Sequence, residues 1–499
     1  MSAAAAAGSL PERAARGAMA LFLRSAAVRL FGVAGGVVLA RILTPHQFGV
    51  YAIAAFCVSF LALFSDVGLG AAIIQQHEEP TRDELKTVFT LQLLLAGTLV
   101  VVGMVVAAPV ASAYHLSSAD VWLIRALLFG LLLGAPRTVP AVLLERELRY
   151  SRLGTAESVE AAVFQLVAMV AALCGLGVWS FVLATMVRGV VGLVLLLWLS
   201  PWRIGLGVDL RVARRLASFG VAYQGQGVLS FVKDSMTPTL LAVIAGASAV
   251  GYVNWAYRVA TLPLLVTSAL WQVTFPAFSR ARHDKALLAR MIERSIRLGA
   301  IVMLPMSFSI IALAPQITDY VFTSKWHPAL TSVYLFSICM WTGPLLGSTF
   351  FSLFYAMGKP RFSLLFTILY GVLDWGIGVP FVFWLGFNGI AVRAVIVAYG
   401  TLPLLLWAAR SLVPVRPLRQ VVRPAAVAGV VALGEFAAMH VVHPSPASFI
   451  ATAICGAVAY TLLIVRVERQ VLKALMVAVL PDRFLSPFGW SAAGVAPAP

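Results

Sequence analysis

Apolar runs of about 20 residues, the length that spans a bilayer as an α-helix, recur along this chain with only short polar stretches between them. The run Val190–Leu199 is apolar on every face, whereas the strands of a transmembrane barrel alternate apolar and polar residues. Only 11% of the residues are charged, against about 25% in a soluble domain, and this excludes a soluble globular protein. The sequence therefore predicts an all-α polytopic integral membrane protein.

Charged or proline-rich breaks divide the apolar sequence into about fourteen predicted transmembrane helices. In chain order the predicted spans cover residues 18–40, 48–73, 87–110, 120–143, 156–177, 179–200, 217–245, 249–275, 296–318, 328–356, 362–385, 388–409, 421–442 and 447–465. Between these spans, the lysines and arginines lie on one side of the membrane except for Arg41 and Lys325. Positive residues mark cytoplasmic loops, so we predict that both chain termini are cytoplasmic. Because the basic residues form no single stripe, we expect no nucleic-acid partner.

A weak internal repeat relates the first six predicted spans to the next six at a shift of about 205 residues. The matching triplets are Gly49-Val50-Tyr51 with Gly251-Tyr252-Val253, Arg149-Tyr150-Ser151 with Arg361-Phe362-Ser363, and Leu176-Gly177-Val178 with Leu385-Gly386-Phe387. Because six is even, the two copies have the same orientation, an arrangement in which transporters place a substrate site between two halves. The predicted domains are a cytoplasmic segment at residues 1–17, six-helix bundles at 18–205 and 206–410, two extra helices within 411–466, and a cytoplasmic tail at 467–499.

Short motifs near the span ends resemble those of a known family. In order, the chain carries Leu43-Thr44-Pro45, Phe48-Gly49-Val50-Tyr51, Phe64-Ser65-Asp66-Val67-Gly68-Leu69, Arg146-Glu147-Leu148-Arg149-Tyr150, Phe275-Pro276-Ala277-Phe278-Ser279 and Gly358-Lys359-Pro360. Over about residues 20–410, this pattern resembles the bacterial polysaccharide exporters of the Wzx and WzxC type. These exporters belong to the MOP superfamily, together with the MATE antiporters and the peptidoglycan lipid flippase MurJ.

The resemblance implies a V-shaped bundle of two parallel six-helix repeats, plus two C-terminal helices, in the bacterial inner membrane. It also implies a flippase that moves an undecaprenyl-pyrophosphate-linked oligosaccharide to the outer leaflet for assembly of exopolysaccharide, capsule or O-antigen. The implied partners are this lipid-linked substrate, the membrane lipids, a polysaccharide polymerase and a chain-length regulator. No cofactor and no metal is expected.

Ionisable side chains inside the predicted spans are the candidate functional residues, because each costs about 2.5 to 3.5 kcal/mol at the centre of a membrane helix. Arg29, Lys233 and Asp374 lie about 18 Å from the cytoplasmic ends of their spans, at 1.5 Å per residue. Snorkelling does not reach the cytoplasmic headgroups from that depth. Four further charges lie near span ends and are interpreted as snorkelling side chains: Arg125, Arg137, Glu157 and Arg393.

These deep charges predict a cationic cavity that binds the pyrophosphate of a lipid-linked sugar and is lined by Arg24, Arg29, Lys233 and Arg258. Arginine suits this group because it forms charge-assisted, often bidentate hydrogen bonds to phosphate. Three acidic residues inside the spans would balance the cations or carry a coupling ion, and they are Asp66, Asp234 and Asp374. A structural ion pair, such as Lys233 with Asp66, is the alternative interpretation of these charges.

Two other functions compete with a flippase. A MATE-like, ion-coupled antiporter of small molecules would also use paired bundles, but with twelve spans and a mainly acidic cavity. A membrane enzyme of polysaccharide assembly would present acidic or histidine groups at a membrane face, whereas the longest predicted outer segment offers only His115. We therefore predict a transporter that is not an enzyme.

Overall fold

The computed structural model describes residues 27–469, except residues 67, 77 and 203 and the side chains of residues 66, 217–226, 266, 268–273 and 276. Within this part the chain is helical, with no strand. The helices before residue 235 are α1 (27–42), α2 (Pro45–Asp66), α3 (Leu69–Gln75), α4 (Arg82–Ala113), α5 (Ser118–Gly134), α6 (Thr138–Arg146), α7 (Tyr150–Leu173), α8 (Trp179–Leu199) and α9 (Leu210–Asp234). A 3-10 turn, Ala135–Arg137, joins α5 to α6.

The second half continues in the same way. Its helices are α10 (Ala242–Ala260), α11 (Leu264–Ala281), α12 (Lys285–Gln316), α13 (Leu330–Cys339), α14 (Ser348–Ala356), α15 (Pro360–Leu385), α16 (Asn388–Leu412), α17 (Pro417–Val441) and α18 (Pro446–Val467). Short π-helical segments at Thr237–Leu241, Ile317–Val321 and Trp341–Gly347 interrupt the regular helices, and two of them contain a proline. Proline lacks the backbone donor that a regular helix needs.

Twelve helices in the described part of the chain are long and apolar enough to cross a membrane, which confirms a multi-pass helical membrane protein. The predicted number of fourteen is not confirmed. The first predicted span lies partly outside the described residues, and the seventh and eighth share one candidate, Thr237–Ala260. Gly246 interrupts that candidate with a φ of 76°, a conformation that glycine adopts without a steric penalty.

Polar side chains cap the helices where the chain turns. Thr81 caps α4 and Ser117 caps α5, each in a reciprocal capping box with the acidic residue three positions later. Ser445 caps α18 in the same way. Such caps satisfy backbone N–H groups that have no partner inside the helix, which fits helix ends at a membrane surface.

Contacts divide the chain into two units. Of the described residues, 27–258, 321–332 and 364–397 belong to the first unit, and 259–320, 333–363 and 398–469 to the second. The predicted bundles at 18–205 and 206–410, and the extra helices within 411–466, stay a prediction.

The start of α2 packs against α10 in the first unit, through two glycines. A Cβ atom at Gly49 would collide with the carbonyl oxygen of Ala247, and one at Gly251 would collide with that of Pro45. These contacts leave no room for any side chain, so both positions require glycine. Gly49 and Gly251 begin the first pair of matching triplets in the internal repeat, so equivalent segments of the two repeats pack on each other.

An aromatic cluster lies beside this glycine contact. Trp326 is fully buried, and its indole N–H donates to the carbonyl of Ala40 at 2.9 Å. Its ring stacks on Trp255, with the centroids 5.0 Å apart, and meets the edges of Phe48 and Tyr252. Large buried aromatic surfaces of this kind join the end of α1, the start of α2 and α10.

In the second unit, α12 and α17 pack together and α17 also packs on α18. Ala312, Leu313 and Met439 form a buried cluster between the first two of these helices. The hydroxyl of Tyr460 on α18 donates to the carbonyl of Ile301 at 2.8 Å. The two C-terminal helices are thus tied to α12.

Polar contacts join the same three helices near their charged ends. The Arg297 Nε donates to Gln420 Oε1 at 2.7 Å, and its Nη1 lies 3.5 Å from Glu468 Oε2. The Gln420 Nε2 in turn donates to Glu293 Oε2 at 2.9 Å. Arg297 belongs to the basic stretch that the sequence places on the cytoplasmic side, and here it also has a structural role.

Candidate functional site

A buried carboxylate in the first unit lies between two guanidinium groups. Glu160 on α7 is 1% exposed, forms an ion pair with Arg137, and has its Oε2 3.5 Å from the Nε of Arg188 on α8. A Cβ at Gly192 on α8 would collide with this carboxylate, so a glycine is what lets Glu160 approach α8. We call Arg137, Glu160 and Arg188 the N-terminal cluster.

An open cavity of about 390 Å³ borders the N-terminal cluster. Arg137 and Glu160 line it together with two further carboxylates, Glu145 and Glu157. The side chain of Arg137 is 25% exposed and that of Arg188 is 49% exposed. The Glu160 carboxylate is therefore buried, whereas the guanidinium groups of Arg137 and Arg188 that pair with it remain partly exposed.

A second group of charges lies where α9, α15 and α16 meet, also in the first unit. The Lys233 Nζ is 2.6 Å from Asp234 Oδ1, and the Arg393 Nη1 is 2.9 Å from Asp374 Oδ1. Asp374 also lies within electrostatic range of both Lys233 and Asp234. We call these four residues the C-terminal cluster.

Backbone packing holds the C-terminal cluster in place. The indole N–H of Trp375 on α15 donates to the carbonyl of Val232 at 3.1 Å. The aliphatic part of Lys233 lies close to Gly371, one turn before Asp374 on the same helix. This contact places the lysine stem against α15, on the helix that carries Asp374.

Two consecutive residues of α10, Tyr257 and Arg258, lie near the charged side chains described above. Tyr257 lies within electrostatic range of Asp234 and Lys233. Arg258 is exposed and, together with Arg188, lies within electrostatic range of Tyr51 on α2. Tyr51 itself stacks on Phe181, with ring centroids 4.1 Å apart. Helix α10 therefore has Tyr257 near the C-terminal cluster and Arg258 near Tyr51, which Arg188 of the N-terminal cluster also influences.

The structure thus brings some of the predicted site residues together. Lys233, Asp234 and Asp374 meet in the C-terminal cluster, and Arg258 lies near the N-terminal one. Arg29 has an exposed side chain on α1. Arg24 lies outside the described residues, and so does the side chain of Asp66, so the alternative pair of Lys233 with Asp66 is not tested.

Two arginines differ from their sequence interpretation. Their positions near span ends predict snorkelling side chains, yet Arg393 forms an ion pair with Asp374 and Arg137 forms one with Glu160. In the Arg393 pair both side chains are less than one-fifth exposed, at 13% and 18%. The reason is that helix packing brings a carboxylate within reach of each guanidinium, a partner that position along a span does not reveal.

Glu160 and Arg188 were also present in the sequence as charges inside spans but were not assigned to a site. Opposite charges deep in consecutive antiparallel spans are commonly partners. This pattern in the sequence could have identified Glu160 and Arg188 as a pair. Depth alone does not show which face of each helix the charges occupy. The same uncertainty applied to Asp374 and Arg393, which also lie on consecutive spans.

Taken together, the two clusters and Arg258 contain an excess of positive charge. Their cations are Arg137, Arg188, Lys233, Arg258 and Arg393, and their carboxylates are Glu160, Asp234 and Asp374. The cavity beside the N-terminal cluster adds Glu145 and Glu157 outside this count. The exposed members are mainly cations on the N-terminal side, while Glu160 and Asp374 are largely buried. Such a surface can bind an anion with charge-assisted hydrogen bonds, and its buried acids can orient the cations.

A multi-pass helical bundle with charged residues inside its spans is the arrangement of a membrane transporter. The fold is similar to that of the lipid II flippase MurJ in an inward closed conformation, with a TM-score of 0.76 and 12% identity over 91% of this chain and 100% of that one. At this identity the likeness shows the fold alone. It confirms the predicted MOP-type bundle.

The chain belongs to the polysaccharide biosynthesis protein family, whose model matches residues 38–331. It is 30% identical to the succinoglycan biosynthesis transport protein ExoT of Rhizobium meliloti over 292 residues, which are 58% of either chain. It is 24% identical to the lipopolysaccharide biosynthesis protein WzxC of Escherichia coli over 335 residues, which are 66% of this chain and 67% of that protein. The match to ExoT thus spans less than two-thirds of its length. The resemblance to exporters of the Wzx and WzxC type is confirmed.

Proposed function

We propose that this protein is a flippase that moves an undecaprenyl-pyrophosphate-linked oligosaccharide repeat unit across the bacterial inner membrane. The unit would serve the assembly of exopolysaccharide, capsule or O-antigen. The names of the relatives support this class of substrate, since one is a succinoglycan transport protein and another acts in lipopolysaccharide biosynthesis. A polysaccharide polymerase and a chain-length regulator are the proposed partners.

The observation that carries the proposal is that the two clusters and Arg258 place five cations beside three carboxylates, two of which, Glu160 and Asp374, are largely buried. A pyrophosphate bears several negative charges, and moving it through the hydrocarbon region without compensation is prohibitively costly. Arg188 and Arg258, on two different helices, both lie within electrostatic range of Tyr51, and both side chains are exposed. We assign the pyrophosphate to Arg188, Arg258 and Lys233, with Arg29 and Arg24 as the predicted contributors from the first span.

The acidic residues have a supporting role in this proposal. Glu160 holds Arg188, and Asp374 holds Arg393 and faces Lys233. When the site is empty, these carboxylates keep the cations from repelling one another. Asp234, whose side chain is 70% exposed, is the acid best placed to exchange a proton or sodium ion during transport.

The mechanism that fits a parallel repeat is alternating access, in which the two six-helix repeats rock around a fixed site. The N-terminal cluster comes from the first repeat and the C-terminal cluster from the second. Arg258 on the second repeat reaches toward Tyr51 on the first. A phosphate bound there would contact both repeats, so substrate binding would be coupled to their movement.

Two alternatives make different predictions. A MATE-like antiporter would bind a fluorescent cationic drug and release protons, but Glu160 and Asp374 here each have a cationic partner. A membrane enzyme would change the covalent structure of the lipid-linked sugar. We expect the unit recovered from the outer leaflet to have the same mass as the unit supplied inside.

The test uses a strain that lacks the gene. We expect lipid-linked repeat units to accumulate on the cytoplasmic leaflet and surface polymer to be lost, whereas loss of a polymerase would leave single units displayed outside. Complementation with Arg258→Ala or Arg188→Ala should fail at normal protein level. Lysine at either position should restore export in part, because it keeps the charge but loses the bidentate geometry.

Arg290→Ala is the matched control, since Arg290 is exposed on α12 outside both clusters, and it should export normally. Normal export by a variant that combines Arg29→Ala with Arg258→Ala, at normal expression, would exclude the cationic site.

A further inference from the structure

Three arginines converge at the short connection between α16 and α17 in the second unit. Arg410 lies in the last turn of α16, Arg416 is the residue before α17, and Arg419 lies in the first turn of α17. All three line one open cavity of about 670 Å³, together with Pro414, Val415 and Leu418. The cavity thus combines guanidinium groups with an apolar wall.

These guanidinium groups are not neutralised within the described part of the chain. All three side chains are exposed, and no described carboxylate forms an ion pair with them. Glu293 is the nearby acid, but its Oε1 accepts from the backbone N–H of Arg416 at 2.7 Å and its Oε2 from Gln420. Three positive groups therefore share one cavity, and none of them forms an ion pair with a described carboxylate.

An exposed tryptophan beside the cavity indicates that it lies at the level of the lipid headgroups. Trp407, one turn before Arg410 on α16, is 64% exposed, and exposed tryptophans are typical of the membrane–water interface. From the cavity onward, α17 presents an exposed apolar face with Val422 at 62%, Val430 at 63% and Leu433 at 70%. An acyl chain could follow this face while its headgroup stays among the arginines.

We infer that the cavity lined by Arg410, Arg416 and Arg419 binds the phosphate headgroup of an anionic membrane phospholipid. Arginine forms bidentate, charge-assisted bonds with phosphate oxygens. In the predicted topology this connection is cytoplasmic, where basic groups attract anionic lipid. The bound lipid would neutralise the arginines and rest its chains on α17. This site is separate from the charge clusters of the proposed function and does not depend on it.

The experiment is native mass spectrometry of the purified full-length protein with dioleoylphosphatidylglycerol or dioleoylphosphatidylcholine. We expect phosphatidylglycerol to bind more tightly than phosphatidylcholine. Combining Arg410→Gln, Arg416→Gln and Arg419→Gln should weaken phosphatidylglycerol binding by more than about tenfold, since one basic group near a lipid surface contributes about fivefold. If the triple variant does not fold, the single variants Arg410→Gln and Arg419→Gln replace it in the experiment. Each should bind phosphatidylglycerol about fivefold more weakly than the unchanged protein.

The matched control removes the same charge elsewhere, by combining Arg282→Gln, Lys285→Gln and Arg290→Gln, three exposed residues at the start of α12 and just before it. It should retain phosphatidylglycerol binding. An equal loss in this control would overturn the proposal, because the effect would then reflect net charge.

Two competitors identify the source of the phosphate. Inorganic pyrophosphate should not displace the lipid, because it has no acyl chains to contact α17, and displacement would overturn the assignment to a lipid. Undecaprenyl pyrophosphate that bound this cavity in preference to phosphatidylglycerol would also overturn it, since the cavity would then belong to the substrate.

Discussion

Gly251 lies directly against Gly49, so that a Cβ at Gly251 would be only 3.2 Å from the backbone nitrogen of Gly49. The two residues begin matching triplets of the internal repeat, and each lies against backbone atoms of the other's segment. Such a contact between repeat-related glycines is expected where two similar segments meet around a pseudo-symmetry axis. It allows backbones to approach more closely than any side chain permits.

Substitution of these glycines should separate α2 from α10. We expect Gly49→Ala and Gly251→Ala each to lower the free energy of unfolding by about 1 to 3 kcal/mol, the range for overpacking, because the added methyl meets backbone atoms that cannot rotate away. Thermal unfolding of the detergent-solubilised protein, followed by size-exclusion chromatography, measures the effect. Gly36→Ala is the control, since nothing lies within 4 Å of a Cβ there. Equal midpoints for all three variants would show that the helices tolerate the extra methyl.

Glu160 should be needed for folding as well as for transport. Glu160→Ala leaves Arg137 and Arg188 without their shared carboxylate, and removal of one member of a buried ion pair costs about 3 to 5 kcal/mol. We therefore expect a lower unfolding midpoint and less protein in the membrane. Glu157→Ala changes the same charge on the same helix at an exposed position, and it should leave both quantities unchanged. If the two variants behave alike, the buried pair contributes little.

Asp374 and Arg393 should be energetically coupled. In a double-mutant cycle with Asp374→Leu and Arg393→Leu, the combined variant should be more stable than the sum of the single effects predicts, by about 0.5 to 3 kcal/mol. The pair of Lys233 and Asp234 provides the comparison, because Asp234 is 70% exposed and solvent-exposed pairs contribute about 0 to 1 kcal/mol. Additive losses at Asp374 and Arg393 would argue against a direct interaction.

The predicted topology can be tested with a membrane-impermeant thiol reagent, after Cys57, Cys174, Cys339 and Cys455 are replaced by serine. New cysteines at Ser117 and His443 should be labelled from outside intact cells. A new cysteine at Asp284 should be labelled only after the membrane is opened. Tags placed at His77 and at the C-terminus should likewise become accessible only after the membrane is opened. This expectation rests on the one-sided distribution of lysine and arginine between the spans. Labelling of the cysteine at Asp284 in intact cells would reverse the orientation.

Much of the fold was accessible from the sequence because a bilayer leaves few choices. With no water in the hydrocarbon region, every long apolar run must satisfy its backbone hydrogen bonds within a helix. The predicted break between residues 245 and 249 coincides with the non-helical Gly246. The repeat also predicted that Gly49 and Gly251 are equivalent, although not that they touch.

The candidate site was accessible only in part. Lys233, Asp234, Asp374 and Arg258 were recognised as deep charges, and the structure adds Arg137, Glu160, Arg188 and Arg393 as their neighbours and partners. A charge in a span reveals its cost and its depth, but not the direction in which it points.

By itself, the sequence determined the membrane class, most of the helical spans, their expected orientation and the family resemblance, because these depend on local hydrophobicity, on loop charge and on short motifs. Only the tertiary structure decided which charges meet, as with Arg393 and Asp374 at 2.9 Å. It also decided which glycines are in contact, because the partner of a buried group depends on the rotation and close approach of helices that are distant in the chain. Those quantities are set by the packing of the whole unit, so no single segment encodes them.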